Sequence, residues 1–395
     1  MVKKGSNIVP EHKPKERIYS KAFIETALLL SRSMSIRDAH TVLNRVLHRA
    51  EGADIKLRTY SDYVQRQGEQ ISNTVKQSAK EVLKEAGFDC ESGQAVNGES
   101  LNPAIKKPGA SWHNRTAVHE AVEGLKKGLK LERNEEELLS ELENPDESCY
   151  CSPDEVLVRH QKEHRTKENE KDGAFVKNTV IEVQSPERKR IITSTSMKSA
   201  FLVVLAYLLS NHLLDNKTLV FFTDGAKDLR KNITEMSSFR QVKVILDWYH
   251  LMERCKVCLS MSVKGRKEER NQILELLRPY LWAGNVSGAI DFLKNLDAKV
   301  LRPQNRIDEL CHYLDNRREQ IPCYALRHEL GLRISSNHVE KANDLVVAKR
   351  QKNNGMSWSN VGSGALAQIS ALFLNHDAHN WIYDNRISLF PSLAA

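Results

Sequence analysis

Thr218-Leu-Val-Phe-Phe-Thr-Asp-Gly225 is an apolar run closed by an Asp-Gly turn, the pattern of a strand buried on both faces. Val242-Lys-Val-Ile-Leu-Asp247 repeats the pattern and also ends in aspartate. Upstream, Asn178-Thr-Val-Ile-Glu-Val-Gln184, the turn Ser185-Pro186-Glu187 and Arg190-Ile-Ile-Thr-Ser194 read as a β-hairpin. A further strand is expected near Cys149–Val158. Met197 to Leu214 reads as a long apolar helix and Ala226 to Met236 as another. The order β-β-β-α-β-α-β describes an α/β fold built on a hairpin-led mixed sheet. Leu251 to His328 then keeps helical spacing with no strand signal, and a last helix is expected from about Asn337 to Arg350. Neither G-x-G-x-x-G nor G-x-x-x-x-G-K-[ST] occurs, so a doubly wound nucleotide-binding fold is not indicated.

The first third is written differently. Residues 1–21 hold six basic and two acidic residues with Pro10 and Pro14, a flexible basic arm. From Ala22 to Gly87 apolar residues fall at three- and four-residue spacings. Ser35 is placed to cap a second helix, and Thr59 to cap a third, Thr59–Gln67, flanked by Arg58 and carrying Arg66. Val75–Ala86 reads as a fourth. Short helices in this order suit a helix-turn-helix that offers Thr59–Gln67 to DNA, and equally a plain helical bundle. Residues 88–147 read as a linker followed by an acidic helical hinge.

The 395 residues carry 59 Lys plus Arg and 51 Asp plus Glu, a net charge of +8. Residues 132–147 alone hold eight acids and one Arg, so the rest of the chain carries +15. That excludes an acidic solvating chain and points to polyanionic partners. The longest strongly apolar stretch, Ala200–Leu209, is ten residues, short of the roughly 18 a spanning helix needs. The N-terminus lacks an apolar signal core. Seven cysteines, an odd number in a long chain, read as reduced thiols of a cytoplasmic protein. Cys255-Lys-Val-Cys258 has no second pair at zinc spacing and is expected as two thiols inside a helix.

Asp224 and Asp247 close two buried strands. Carboxylates at strand ends can converge at one sheet edge and form an oxygen-rich site for Mg²⁺. Two such ions clamp the entering and leaving oxygens of a phosphoryl displacement. Asp-Gly after a strand is also ordinary turn chemistry. Asn337-His-Val-Glu340 fits a capping box, which holds the carboxylate in the first turn of a helix with no metal involved. Asp344 lies one turn further on. Lys341, Lys349, Arg350 and Lys352 form a basic cluster suited to a phosphate backbone, or simply a solvated helix face. Trp282, Trp358 and Trp381 suit base stacking or, more commonly, a core.

Three stretches together resemble a family. Leu219-Val-Phe-Phe-Thr-Asp-Gly-Ala226, Ile245-Leu-Asp-Trp-Tyr-His250 and Arg333-Ile-Ser-Ser-Asn-His-Val-Glu-Lys-Ala342, followed by Arg350-Gln-Lys-Asn-Asn-Gly-Met-Ser-Trp358, are similar to bacterial insertion-sequence transposases of the DDE type. The nearest groups are the Kra and Lre types of the Mutator-like branch. The resemblance is dense over 215–365, extends back to about 150 and is faint over 1–147. It implies an RNase H-like mixed-sheet core over 148–250. A large all-helical insertion over 251–330 and final core helices over 331–375 would follow, then a tail over 376–395. The α-helical N-terminal region would bind DNA.

The resemblance also implies roles. Asp224 and Glu340 would be the second and third metal-binding carboxylates, separated by 115 residues that hold the insertion. Asp154 best matches the first, although Pro153 is unusual in a central strand and Glu155 replaces the family's neighbouring aspartate. Asp146, Asp172 and Glu182 are poorer matches. Asp247 and His250 form the branch's D-x-x-H and would support the site or the DNA strand. Arg58, Arg66, Lys341, Lys349, Arg350 and Lys352 would contact DNA. The implied activity is Mg²⁺-dependent nicking of element ends and transfer of the freed 3′-OH to target DNA, with Mn²⁺ able to substitute and a homo-oligomer joining the ends. The alternatives are an inactive, transposase-derived DNA-binding protein and an RNase H-like nuclease.

Overall fold

The computed structural model describes residues 19–46, 54–96, 115–161, 175–226, 229, 231–233, 242–265, 267–352 and 356–391. The expected basic arm falls outside them except for Tyr19, Ser20 and Lys21, as does Asp172. The chain is α/β. Strands β1 (Ser148–Arg159), β2 (Phe175–Gln184), β3 (Lys189–Ser194), β4 (Thr218–Thr223) and β5 (Val242–Leu246) form one mixed sheet in the order β3-β2-β1-β4-β5. β1 and β3 run antiparallel to β2, while β1, β4 and β5 are parallel.

Alternation decides which side chain faces which layer. Cys149 and Cys151 of β1 share a core with Leu219 and Phe221 of β4. Tyr150, Val220 and Phe222, one residue out of phase, belong to a second core on the other face. The first core is completed by α6 (Met197–Ser210), an apolar helix with nine buried residues. It also takes in the N-terminal helices α1 (Lys21–Ser33), α2 (Ile36–Val46) and α3 (Leu57–Glu85). The second core is built on the all-helical stretch that follows β5. It comprises α8 (Trp248–Ser262), α9 (Lys267–Trp282), α10 (Val286–Lys294) and α11 (Ile307–Asp315), packed under the β4–β5 edge. The short helix Leu213–Asn216 is α7.

Two expectations about the first third are corrected. Thr59–Gln67 and Val75–Ala86 are not separate helices, and Thr59 caps nothing: α3 is one helix of 29 residues whose N-cap is Lys56. Gly68 is buried inside this helix, between the two expected segments. A Cβ at Gly68 would lie 2.5 Å from the backbone of Ala365 in α14 (Asn360–Leu374), so the glycine permits close helix packing rather than a turn. Together, α1–α3 therefore pack into the same core as the sheet.

The acidic hinge is the second correction. Glu143 is fully buried, and both carboxylate oxygens meet Arg327 of α12 (Tyr324–Glu329), at 2.8 and 2.5 Å. Lys243 of β5 donates to it at 2.7 Å and Tyr150 of β1 at 3.3 Å. Arg327 Nε donates to the Arg333 carbonyl at 2.8 Å. Around this pair Val118 and Val122 of α4 (Arg115–Lys126), with Leu138 of α5 (Glu135–Ser140), pack on Leu326 and Leu332. The stretch is a strut that joins sheet and insertion.

Burial pushes the Glu143 carboxyl up, but Arg327 and Lys243 overcome it and hold it at about 2. Because that lies below the ordinary 4.5, the stabilisation is complete above about pH 4.5 and is lost as pH falls through about 2. Glu143→Gln leaves Arg327 buried and uncompensated, and should cost about 3–5 kcal/mol. Denaturant melts at pH 7 and pH 3 check both statements: the variant's deficit should be large at pH 7 and smaller at pH 3. A deficit below about 1 kcal/mol at pH 7 would remove the strut from the account.

Candidate metal and DNA site

The parallel registers set the level of the site. Cys151 pairs with Phe221, so three residues further along Asp154 stands level with Asp224. Thr223 pairs with Leu246, so the next residues, Asp224 and Asp247, are level too. Extending the registers puts three aspartates at one level, Asp224 and Asp247 just past the ends of β4 and β5 and Asp154 inside β1 beyond its pairing with β4. The β1–β4 ladder ends at Cys151, before Pro153, so the proline withholds no hydrogen bond from β4. There β1 pairs only with β2, with Asp154 opposite Val180.

Asp154 and Asp224 face each other electrostatically. Burial raises the Asp154 carboxyl above its ordinary value, and the charge of Asp224 raises it further. The Glu155 backbone N–H, at 2.7 Å, His250 and Asn343 partly offset this. Asp224 accepts from the Ala226 N–H at 2.7 Å, an Asx turn around Gly225.

Asp247 takes another role. Its carboxylate caps α8 through the His250 N–H at 3.0 Å and accepts from the Ser336 N–H and hydroxyl at 2.5 and 2.8 Å. It is 1% exposed and serves the backbone rather than an open site. His250 Nδ1 lies 3.2 Å from Asp247. That contact raises the His250 pKa above 6.5 despite partial burial, and Asp224 and Asp154 raise it further.

Helix α13 (Asn337–Asn343) lies over the far half of β1 and β2, with Val339 and Ala342 against Val156, Val158 and Val180. Its expected capping box is absent: the N-cap is Ser336, which makes no side-chain cap and is held by Asp247 instead. Glu340 is exposed, with no hydrogen bond or ion pair among the described residues. One turn on, Asn343 is 7% exposed, and its amide N–H donates to Asp154. Its Oδ1 is buried without a partner. The sequence reading passed over Asn343, although its i+3 spacing from Glu340 puts both on one helix face. Among the described residues no three His, Cys, Asp or Glu side chains converge closely enough for a metal ion. Asp154 is thus linked to Asn343 by a hydrogen bond and to Asp224 and His250 by charge, and among the described residues Glu340 has no such link to them. Two carboxylates and an orphaned amide oxygen suit Mg²⁺, which commonly takes one or two protein carboxylates and completes its shell with water and phosphate.

The expected DNA contacts divide. Arg58 and Arg66 are exposed on α3, and Lys341, Lys349 and Lys352 are exposed beyond Glu340. Arg350 is corrected: it is 5% exposed, donates to the Ser31 carbonyl at 3.0 Å and lies over the Trp358 ring. A π turn at Asp344–Ala348 changes the helix phase just before it. The tryptophans are structural: Trp381 is 6% exposed, Trp282 stacks on Tyr324, and Trp358 Nε1 donates to the Gln351 carbonyl. Cys255 and Cys258 are buried in α8, and burial pushes the Cys255 thiol up to about 12.

Compared with family models, curated proteins and solved structures, the chain has no match. Among the described residues no helix is long and apolar enough to cross a membrane.

His250 reports on the carboxylates. Its imidazole should titrate above 6.5 by NMR and fall back in Asp247→Asn. Saturating Mg²⁺ should lower it, because neutralising Asp154 and Asp224 removes charge that holds its proton. A His250 titration indifferent to Mg²⁺ would place the ion elsewhere.

Proposed function

We propose that the protein is a DDE-type DNA transposase with an RNase H-like core, acting in the bacterial cytoplasm on insertion-sequence ends. The observation that carries this reading is the pair formed by Asp154, inside β1 just past its parallel pairing with β4, and Asp224, at the end of β4, whose charge acts on Asp154. The mixed sheet order and the helical excursion between β5 and α13 support it.

In this reading Asp154 and Asp224 hold Mg²⁺, and Glu340 supplies the third carboxylate from the first turn of α13. When bound, the ion polarises the scissile phosphate and sharpens the attacking oxygen. Asn343 orients the Asp154 carboxylate. His250, whose protonated form Asp247 favours, would offer a cation to the phosphate. Lys341, Lys349 and Lys352 lie along the strand path and neutralise backbone charge. Arg58 and Arg66 on α3 contribute phosphate contacts from the N-terminal helices. Joining two element ends calls for a homo-oligomer.

Purified protein with Mg²⁺ or Mn²⁺ should nick a labelled duplex carrying the element end. Asp224→Ala and Glu340→Ala should each lower nicking by about a hundredfold or more while retaining DNA binding. Parental rates in both variants would overturn the assignment. The second reading, an inactive DNA-binding protein, draws on the finding that, among the described residues, no three His, Cys, Asp or Glu side chains converge on a metal site. It expects salt-dependent binding with no cleavage under either metal. Preference for RNA–DNA hybrids over element ends would instead indicate a nuclease.

A further inference from the structure

A cavity of about 780 Å³ opens beside Asp224, between the end of β4 and the insertion helices α8 and α11. Its size lies within the usual range for ligand pockets. Arg254 of α8, Tyr313 in the last turn of α11 and Arg317, two residues past its end, form one wall, beside Glu309. The Arg317 guanidinium lies 4.1 Å from the Tyr313 ring centre and that of Arg254 5.4 Å from it. Arg317 is fixed to the strand end by a 2.6 Å bond to the Gly225 carbonyl. Gly225 has φ +85°, and a Cβ there would lie 3.0 Å from Arg317 Nε and 3.0 Å from the Tyr313 hydroxyl. The glycine therefore serves the approach of this wall as well as the turn.

Two donors in the wall are unused. Arg254 Nε and Arg317 Nε are buried without a hydrogen-bond partner. One Arg254 nitrogen is spent on Glu309, a carboxylate that also lines the cavity, at 2.5 Å, and Arg254 Nε stays without an acceptor. Both Nε atoms are closed to solvent, so a phosphate oxygen in the cavity would meet the outer nitrogens of the guanidinium groups, whose fork it suits. The ring face is held by cations, so Tyr313 orients charge rather than stacking a base.

We propose that this cavity is a phosphodiester subsite, in which Arg254 and Arg317 grip a backbone phosphate of the DNA strand next to the one presented at Asp224. The proposal rests on the reading of DNA as substrate, and it adds to the site a part drawn from the insertion. With Asp224 at one side and the guanidinium pair at the other, a strand crossing the cavity would be fixed in direction as well as position.

The test is binding of a fluorescein-labelled 30-base-pair duplex in EDTA, followed by anisotropy across a salt series. Arg254→Gln should weaken binding about tenfold and reduce the salt slope by about one phosphate contact. Arg254→Lys should recover much of the affinity, and Lys299→Gln, the same charge change on an exposed insertion residue, should not alter it. Circular dichroism melts establish that each variant is folded. Equal affinity and slope for the parent and a folded Arg254→Gln would overturn the subsite, even if the parent nicks DNA with Mg²⁺. Arg254-dependent binding without nicking would support the subsite and count against the transposase reading alone.

Discussion

The buried Glu143–Arg327 pair fixes the relation between sheet and insertion. Glu143 arrives just before β1, Arg327 comes from α12 at the far end of the insertion, and Lys243 reaches in from β5. One carboxylate thus ties together segments 100 and 184 residues apart in sequence. A buried ion pair adds little stability over an apolar substitute, but breaking one member is costly. Its contribution here is to register. An apolar contact could slide, whereas a two-pronged guanidinium–carboxylate contact holds one geometry. Arg327 then passes this constraint to the Arg333 carbonyl, three residues before Ser336, and so to the start of α13.

Above that strut the site follows from strand register. Parallel pairing places Asp154, Asp224 and Asp247 at one level without any special loop. Their environments then separate their roles. Asp247 is saturated by Ser336 and the α8 N-terminus, whereas Asp154 and Asp224 are left facing each other. Two carboxylates in a partly buried place repel unless a proton, a cation or His250 lies between them. Burial first and the Asp224 charge after it raise Asp154, and the Asp247 contact first and the two other aspartates after it raise His250.

Much of this was legible in the sequence because the strands are short apolar runs punctuated by aspartate. β2 to β5 fall where the hairpin and the two Asp-terminated runs put them. What escaped was whatever depends on partners distant in sequence. Gly68 looks like a break in a polar stretch, and only the approach of Ala365 explains it as packing. Glu143 is one acid among eight, and composition cannot single out the one that meets Arg327. Arg350 sits in a basic run whose neighbours are exposed, and the π turn that turns it inward leaves no mark in hydrophobic spacing. Asn343 drew no attention because an amide beside a carboxylate motif carries no charge pattern.

The geometry at the root of the helical excursion explains how so long a segment can sit between the end of the sheet and α13. The chain leaves the core at Asp247 and returns at Ser336, and these two residues are joined by hydrogen bonds through one carboxylate. Trp248 N–H adds a bond to the Ile334 carbonyl at 3.1 Å, and the Tyr324 hydroxyl bonds the Leu246 carbonyl at 2.6 Å. The excursion is thus closed at its base, so the position of α13 is set by the clasp and by its packing on β1, not by the length of what lies between. Lengthening such a closed loop costs little entropy. The helices inside it are therefore free to build their own core and to present a wall, Arg254 and Arg317, against the end of β4 without disturbing the carboxylates beside it.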